Sequence, residues 1–128
     1  MSKEEKVDKK RKEIFKKTTQ ILNEIGIPAN LNGYRFLREA ILIIVLDVTK
    51  LNSITKYLYP TLATKFSSTP SRVERSIRHA IEVTWTRGNI QNINEIFGYT
   101  VSYIVGKPTN SEFIAMVSNK VRIELDMF

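Results

Sequence analysis

The stretch from Tyr59 to Arg87, YPTLATKFSSTPSRVERSIRHAIEVTWTR, constrains the fold most: it reads as a short helix, a turn and a longer helix with arginines along one side. The first helix can run from Pro60 to about Phe66, and Ser67 and Ser68 can make the turn. Thr69-Pro70 then starts the second helix with a hydroxyl cap and a proline at the first helical position, where its missing N–H costs nothing. Two helices joined by so short a turn form a defined motif, one that many pairs with no nucleic-acid role also share.

The face opposite the core separates these cases. At about 100° per residue, Val73, Ile77, Ala80 and Ile81 fall on one side of the second helix, and Trp85 extends the stripe. Arg75 is then close to diametrically opposite, with Ser71, Arg72, Arg78, His79 and Glu82 around it. An arginine on such a face can fork onto guanine O6 and N7. Flanking cations can neutralise phosphates, and a carboxylate such as Glu74 can accept from cytosine N4. A helix-turn-helix reader of double-stranded DNA fits this pattern, and the plain alternative is a solvated basic helix.

The 128 residues suffice for one core and not for two, so a single domain is expected. A formal charge of +7 favours a polyanionic partner, nucleic acid ahead of an anionic membrane surface. The absence of cysteine excludes disulfides and thiolate metal sites. The opening MSKEEKVDKKRKE is too charged for a secretory signal. The longest apolar run, Ile41 to Leu46, falls far short of the roughly 20 residues a bilayer span needs. A soluble cytoplasmic protein is expected.

Residues 1–13 form a charged lead-in, either a frayed helix or disordered, and residues 14–128 the folded unit. From Ile14 the spacing Ile14, Thr18, Ile21, Leu22, Ile25 is helical, and Gly26-Ile27-Pro28 ends it. A second helix is expected from Gly33 to about Val48, with Tyr34, Leu37, Ala40, Ile41, Ile44, Val45 and Val48 on one side. Its β-branched ILIIV stretch could pass for a strand, but no partner strand is evident elsewhere. After the central pair, Asn89 can cap a short helix carrying Ile90, Ile93, Ile96 and Phe97, closed by Gly98. Gly106-Lys107-Pro108 breaks the chain, and Thr109, Asn110 or Ser111 can cap a last helix bearing Phe113, Met116, Val117, Val121 and Leu125. The expected fold is all-α: six helices in one domain, with the helix-turn-helix in the middle.

The strings PSRVERSIRHAIEVTWTRGN at 70–89, FGYTV at 97–101 and KPTNSEFIAMV at 107–117 closely resemble the C-terminal effector domain of stage zero sporulation protein A, a response-regulator transcription factor family. EIGIPANLNGYRFLREAI at 24–41 and ITKYLYPTLATKF at 54–66 extend the resemblance to about residues 20–123. It implies a six-helix domain that binds promoter boxes of the TGTCGAA type, often in tandem. By the same resemblance, Arg72, Glu74 and Arg75 reach base edges, while Ser71, Arg78 and His79 meet the backbone or flanking bases. Residues 88–101 would contact the sigma subunit of RNA polymerase, and the last helix would pair neighbouring domains on tandem boxes as a homodimer. On burial tendency, however, Ile90, Ile93 and Phe97 read as core, leaving Gln91, Asn92, Asn94 and Glu95 to face a polymerase. Phe113, Met116 and Val117 likewise read as core before dimer contacts. Residues 1–20 do not supply the acidic pocket of the family's phosphorylated receiver domain, so the sequence reads as an excised effector domain or a stand-alone relative.

No catalytic, cofactor or metal constellation emerges. His79 is the sole histidine, and it reads as a phosphate contact. Glu74 and Glu82 are separated by arginines and imply no cleft, and no phosphate-cradling glycine loop occurs. The competing class is a helical protein-interaction module that docks on the sigma subunit or on a full-length homologue without reading DNA. A membrane-binding amphipathic helix would need an apolar face that Val7 alone does not give.

Overall fold

The stretch 34–45, apolar apart from Arg35, Arg38 and Glu39, forms a helix that is buried over most of its circumference. In α2 (Asn32–Leu46) Tyr34, Leu37, Ala40, Ile41, Ile44 and Val45 are covered as their spacing predicts, and so are Phe36 and Leu42. A helix with so wide an apolar face belongs in the middle of its domain, and α2 packs against α1 (Lys3–Ile25), α4 (Pro70–Arg87) and α6 (Asn110–Glu124). The short α3 (Tyr59–Lys65) leads into α4, and α5 (Ile90–Phe97) lies between α4 and α6 in the chain. This computed structural model describes residues 1–87, 90–97 and 106–128; among them the chain is all-α, with six α-helices and no strand. The expected Asn89 cap and Gly98 stop lie outside the described residues.

Helix α1 starts earlier than its apolar pattern. Ser2 caps it by accepting from the Glu5 N–H at 3.1 Å, and the charged lead-in is helical from Lys3, although no residue before Ile14 is buried. Helix α2 stops at Leu46, two residues short of expectation, and Val48 is exposed. The Asp47 carboxylate accepts the Thr49 N–H at 3.1 Å, a local bond that competes with helix continuation and starts the 3₁₀ segment Val48–Ser53. A π turn at Ile54–Leu58 then runs straight into α3. Pro60, which has no N–H to donate, sits in the first turn of α3 directly after that π turn.

Three helices end by the same device. After α1, Gly26 takes φ of 95° and the Ile27 N–H donates to the Leu22 carbonyl at 3.1 Å. After α3, Ser67 takes φ of 51° and the Ser68 N–H donates to Ala63 at 2.8 Å. After α6, Asp126 takes φ of 56° and the Met127 N–H donates to Arg122 at 2.7 Å. Each left-handed residue reverses the chain and satisfies a terminal carbonyl. The second reversal makes the turn between α3 and α4.

Helix α6 closes the core. Thr109 and Glu112 form a reciprocal capping box at its start, which decides among the three candidate caps. Phe113, Ile114, Val117 and Val121 are fully covered, and the Phe113 ring meets Trp85 of α4 edge-on at 6.0 Å. At its other end Arg122 donates to the Val45 carbonyl at 3.0 Å, satisfying one of the last carbonyls of α2.

Candidate nucleic-acid interface

Helix α4 begins as its sequence indicates. The Thr69 hydroxyl accepts the Arg72 N–H at 3.2 Å, and Pro70 is the first helical residue. Val73, Ile77, Ala80, Ile81 and Thr84 face the core, while Trp85 is half-buried at the edge of that stripe. The opposite face follows from the same 100° period: Ser71, Arg72, Arg75, Arg78 and His79 are exposed and Glu74 is half-buried on the flank. All six candidate residues therefore lie on or beside one outward surface.

Two close approaches flank this helix. On one flank α2 approaches so closely that a Cβ built on Gly33 would lie 2.2 Å from the Ser76 carbonyl oxygen and 2.7 Å from Ala80 Cβ. Only a glycine allows that backbone approach. On the other flank the buried Asn110 amide donates to the Glu74 carbonyl at 3.2 Å and to the Tyr59 hydroxyl at 3.0 Å. Burial pushes the Tyr59 hydroxyl above its ordinary pKa of 10.0, so it stays protonated as a partner.

Charge divides the face in two. Among the described residues Arg72 and Arg75 have no carboxylate within salt-bridge distance, so both guanidinia are available to a ligand. Arg78 is bound differently, its Nε lying 3.1 Å from Glu74 Oε1, and that carboxylate raises the Arg78 pKa further by hydrogen bonding and by its charge. Glu82, expected on the outer face, is half-buried and paired with Lys107, which holds its carboxyl below the usual 4.5. The Lys107–Glu82 and Asn110–Glu74 contacts together tie the approach to α6 along one side of α4.

Residues that the outward-face pattern did not single out border the same surface. Asn30, Leu31 and Asn32 form a depression with Arg75 and His79, and Thr55 of the π turn lies beside Glu74, Arg75 and Arg78. Lys107 and Ser111 continue that second depression. No periodicity within α4 could have found them, because they come from three other parts of the chain.

The family described as sporulation initiation factor Spo0A, C-terminal, matches residues 18–121, which takes in α2 to α5, the last part of α1, α6 as far as Val121 and the whole outward face of α4. The chain belongs to that family. The Spo0A C-terminal domain is the DNA-binding effector domain of a sporulation regulator, a response-regulator output and not a known enzyme family. Among the described residues no helix is long and apolar enough to cross a membrane, and no group of three or more His, Cys, Asp or Glu side chains is gathered for a metal.

Proposed function

We propose that this Spo0A-type domain is a sequence-specific, double-stranded DNA-binding transcription regulator acting in the cytoplasm, with α4 as the recognition helix of a helix-turn-helix entering the major groove at a TGTCGAA-like box. Arg72, Glu74 and Arg75 read base edges; Ser71, Arg78 and His79 contact the backbone or flanking bases. The observation that carries this reading is the pair of exposed guanidinia, Arg72 and Arg75, without ion pairs in the first two turns of α4, the part of a recognition helix that reaches bases. Residues 14–128 form the effector unit, from which the helical lead-in projects.

The test is a gel shift with a TGTCGAA duplex against a scrambled one at a stated salt concentration. Arg75→Ala costs about 1–3 kcal/mol on the box and relaxes preference at one guanine. Unchanged discrimination in that variant refutes its base-reading role. Arg78→Ala weakens both duplexes and flattens the salt dependence by roughly one phosphate contact.

Two partner contacts belong to the same proposal. Residues 88–101 meet the sigma subunit, and within their described part Gln91 and Glu95 are exposed while Ile93 is core. The last helix pairs domains on tandem boxes. Supporting this, an apolar groove between α5 and α6 is lined by Ile96, Phe97, Met116 and Ile123, the last 55% exposed, whereas Phe113 and Val117 are committed to the core. The same groove is what favours the second reading, docking on sigma or on a full-length homologue without DNA reading. Retained polymerase binding by a chain that does not distinguish the two duplexes supports that alternative.

A further inference from the structure

We propose that Asn110 of α6 is a positioning residue for base reading: its side-chain amide holds the Glu74 carbonyl and so sets the roll of the base-facing turns of α4. The inference rests on the DNA-reading proposal above and concerns a residue that touches no base. Asn110 is only 9% exposed, and a buried amide is costly unless its hydrogen bonds are made. Both of its N–H groups are spent on the recognition unit, one on the Glu74 carbonyl of α4 and one on the Tyr59 hydroxyl at the start of α3. Capping does not account for the amide, because Thr109 and Glu112 already form the box that starts α6. Asparagine is also a mediocre helix former, so local propensity does not account for it either.

The geometry explains the use. The close approach of α2 at Gly33 to the Ser76 carbonyl leaves α4 little room to move toward α2, but such a steric stop acts in one direction only. The bond from Asn110 to the Glu74 carbonyl, two residues away on the opposite flank, restrains the other direction. Glu74 carries its own carboxylate and, through it, Arg78, and Arg75 is its neighbour. A roll of about 10° moves a side-chain tip on the order of 8 Å from the helix axis by more than 1 Å, enough to lose a hydrogen bond to a base edge. Phosphate contacts made by flexible cations tolerate such a shift.

The experiment compares the affinity for a TGTCGAA duplex with that for a scrambled duplex, in the unsubstituted chain and in Asn110→Ala, Asn110→Asp and Tyr59→Phe, with folding checked by circular dichroism and urea unfolding. Asn110→Asp keeps the shape but presents oxygen to the Glu74 carbonyl; if it does not fold, Asn110→Ala, which adds no charge, decides. The expected result is an affinity ratio about tenfold lower in folded Asn110 variants, the size of one specific base contact, with scrambled-duplex affinity and its salt slope unchanged within about twofold. Tyr59→Phe leaves the Glu74 bond in place and keeps the ratio within about twofold. An unchanged ratio in a folded Asn110 variant, a parallel fall on both duplexes, or an equal loss in Tyr59→Phe overturns the positioning role alone. No discrimination by the unsubstituted chain overturns the DNA-reading proposal, and the positioning role falls with it.

Discussion

Replacing Gly33 by alanine tests the packing that presents α4. The added Cβ would lie 2.2 Å from the Ser76 carbonyl oxygen, 2.9 Å from its carbon and 2.7 Å from Ala80 Cβ. Ordinary contact needs more than 3 Å, so α2 and α4 must separate by about 1 Å, and the obstacle is backbone that no rotamer can move aside. Overpacking of this kind costs about 1–3 kcal/mol. Alanine's better helix propensity returns at most about 1 kcal/mol, and less in the first turn where Gly33 sits. The net expectation is a loss of about 1–2 kcal/mol, which for a chain of 128 residues lowers Tm by roughly 3–10 °C. Urea unfolding should show a lower midpoint at unchanged slope, and affinity for the box should fall because the outward face has moved. Ala80→Gly in the same chain should not restore stability, since it relieves the 2.7 Å contact and leaves the carbonyl in place. A Gly33→Ala chain as stable as the original, or one rescued by Ala80→Gly, would refute the carbonyl contact as the limiting one.

Ser67 occupies the left-handed position that ends α3 with a side chain that disfavours it, so Ser67→Gly should raise stability by about 1 kcal/mol in urea unfolding. Thr109→Ala removes half of the capping box of α6 and should cost about 1 kcal/mol by the same measurement. Glu112 and Glu82 have carboxyl pKa values below the ordinary 4.5, Glu112 through the Thr109 N–H and hydroxyl and Glu82 through Lys107. Near that pH the unfolded chain therefore binds more protons than the folded one, so their contribution is present above about 4.5 and is lost as pH falls through the lowered folded values. Urea midpoints across an acid series should decline there, and Glu112→Gln should make the decline shallower.

The candidate site shows where legibility in the sequence stops. The arginine face of α4 could be drawn from the 3.6-residue period, because Val73, Ile77, Ala80 and Ile81 define the inner side and Arg75 is then opposite. Glu74 lies on the flank of the helix, and its four-residue spacing from Arg78 favours the ion pair that the two form in the structure. Nothing in the pattern around Glu39 marks it as buried and held by Lys65 at 2.6 Å, because that partner lies 26 residues further along the chain. The 3₁₀ and π segments at 48–58 are not legible in the sequence, because short irregular helices carry no repeating apolar period.

By itself the sequence determined the helical class, the approximate helix limits at Gly26, at Thr69-Pro70 and within 109–111, and the apolar stripe that the longer helices turn inward. These depend on residues within a few positions of one another, through capping, left-handed turns and the period of the helix. Only the tertiary structure decided that Gly33 meets Ser76, that Asn110 bonds Glu74, and that Asn30, Thr55 and Lys107 border the same surface. Periodicity says which residues share a face of one helix. It does not say which face of another helix that one meets or at what roll, because packing fixes both through contacts made across long stretches of chain.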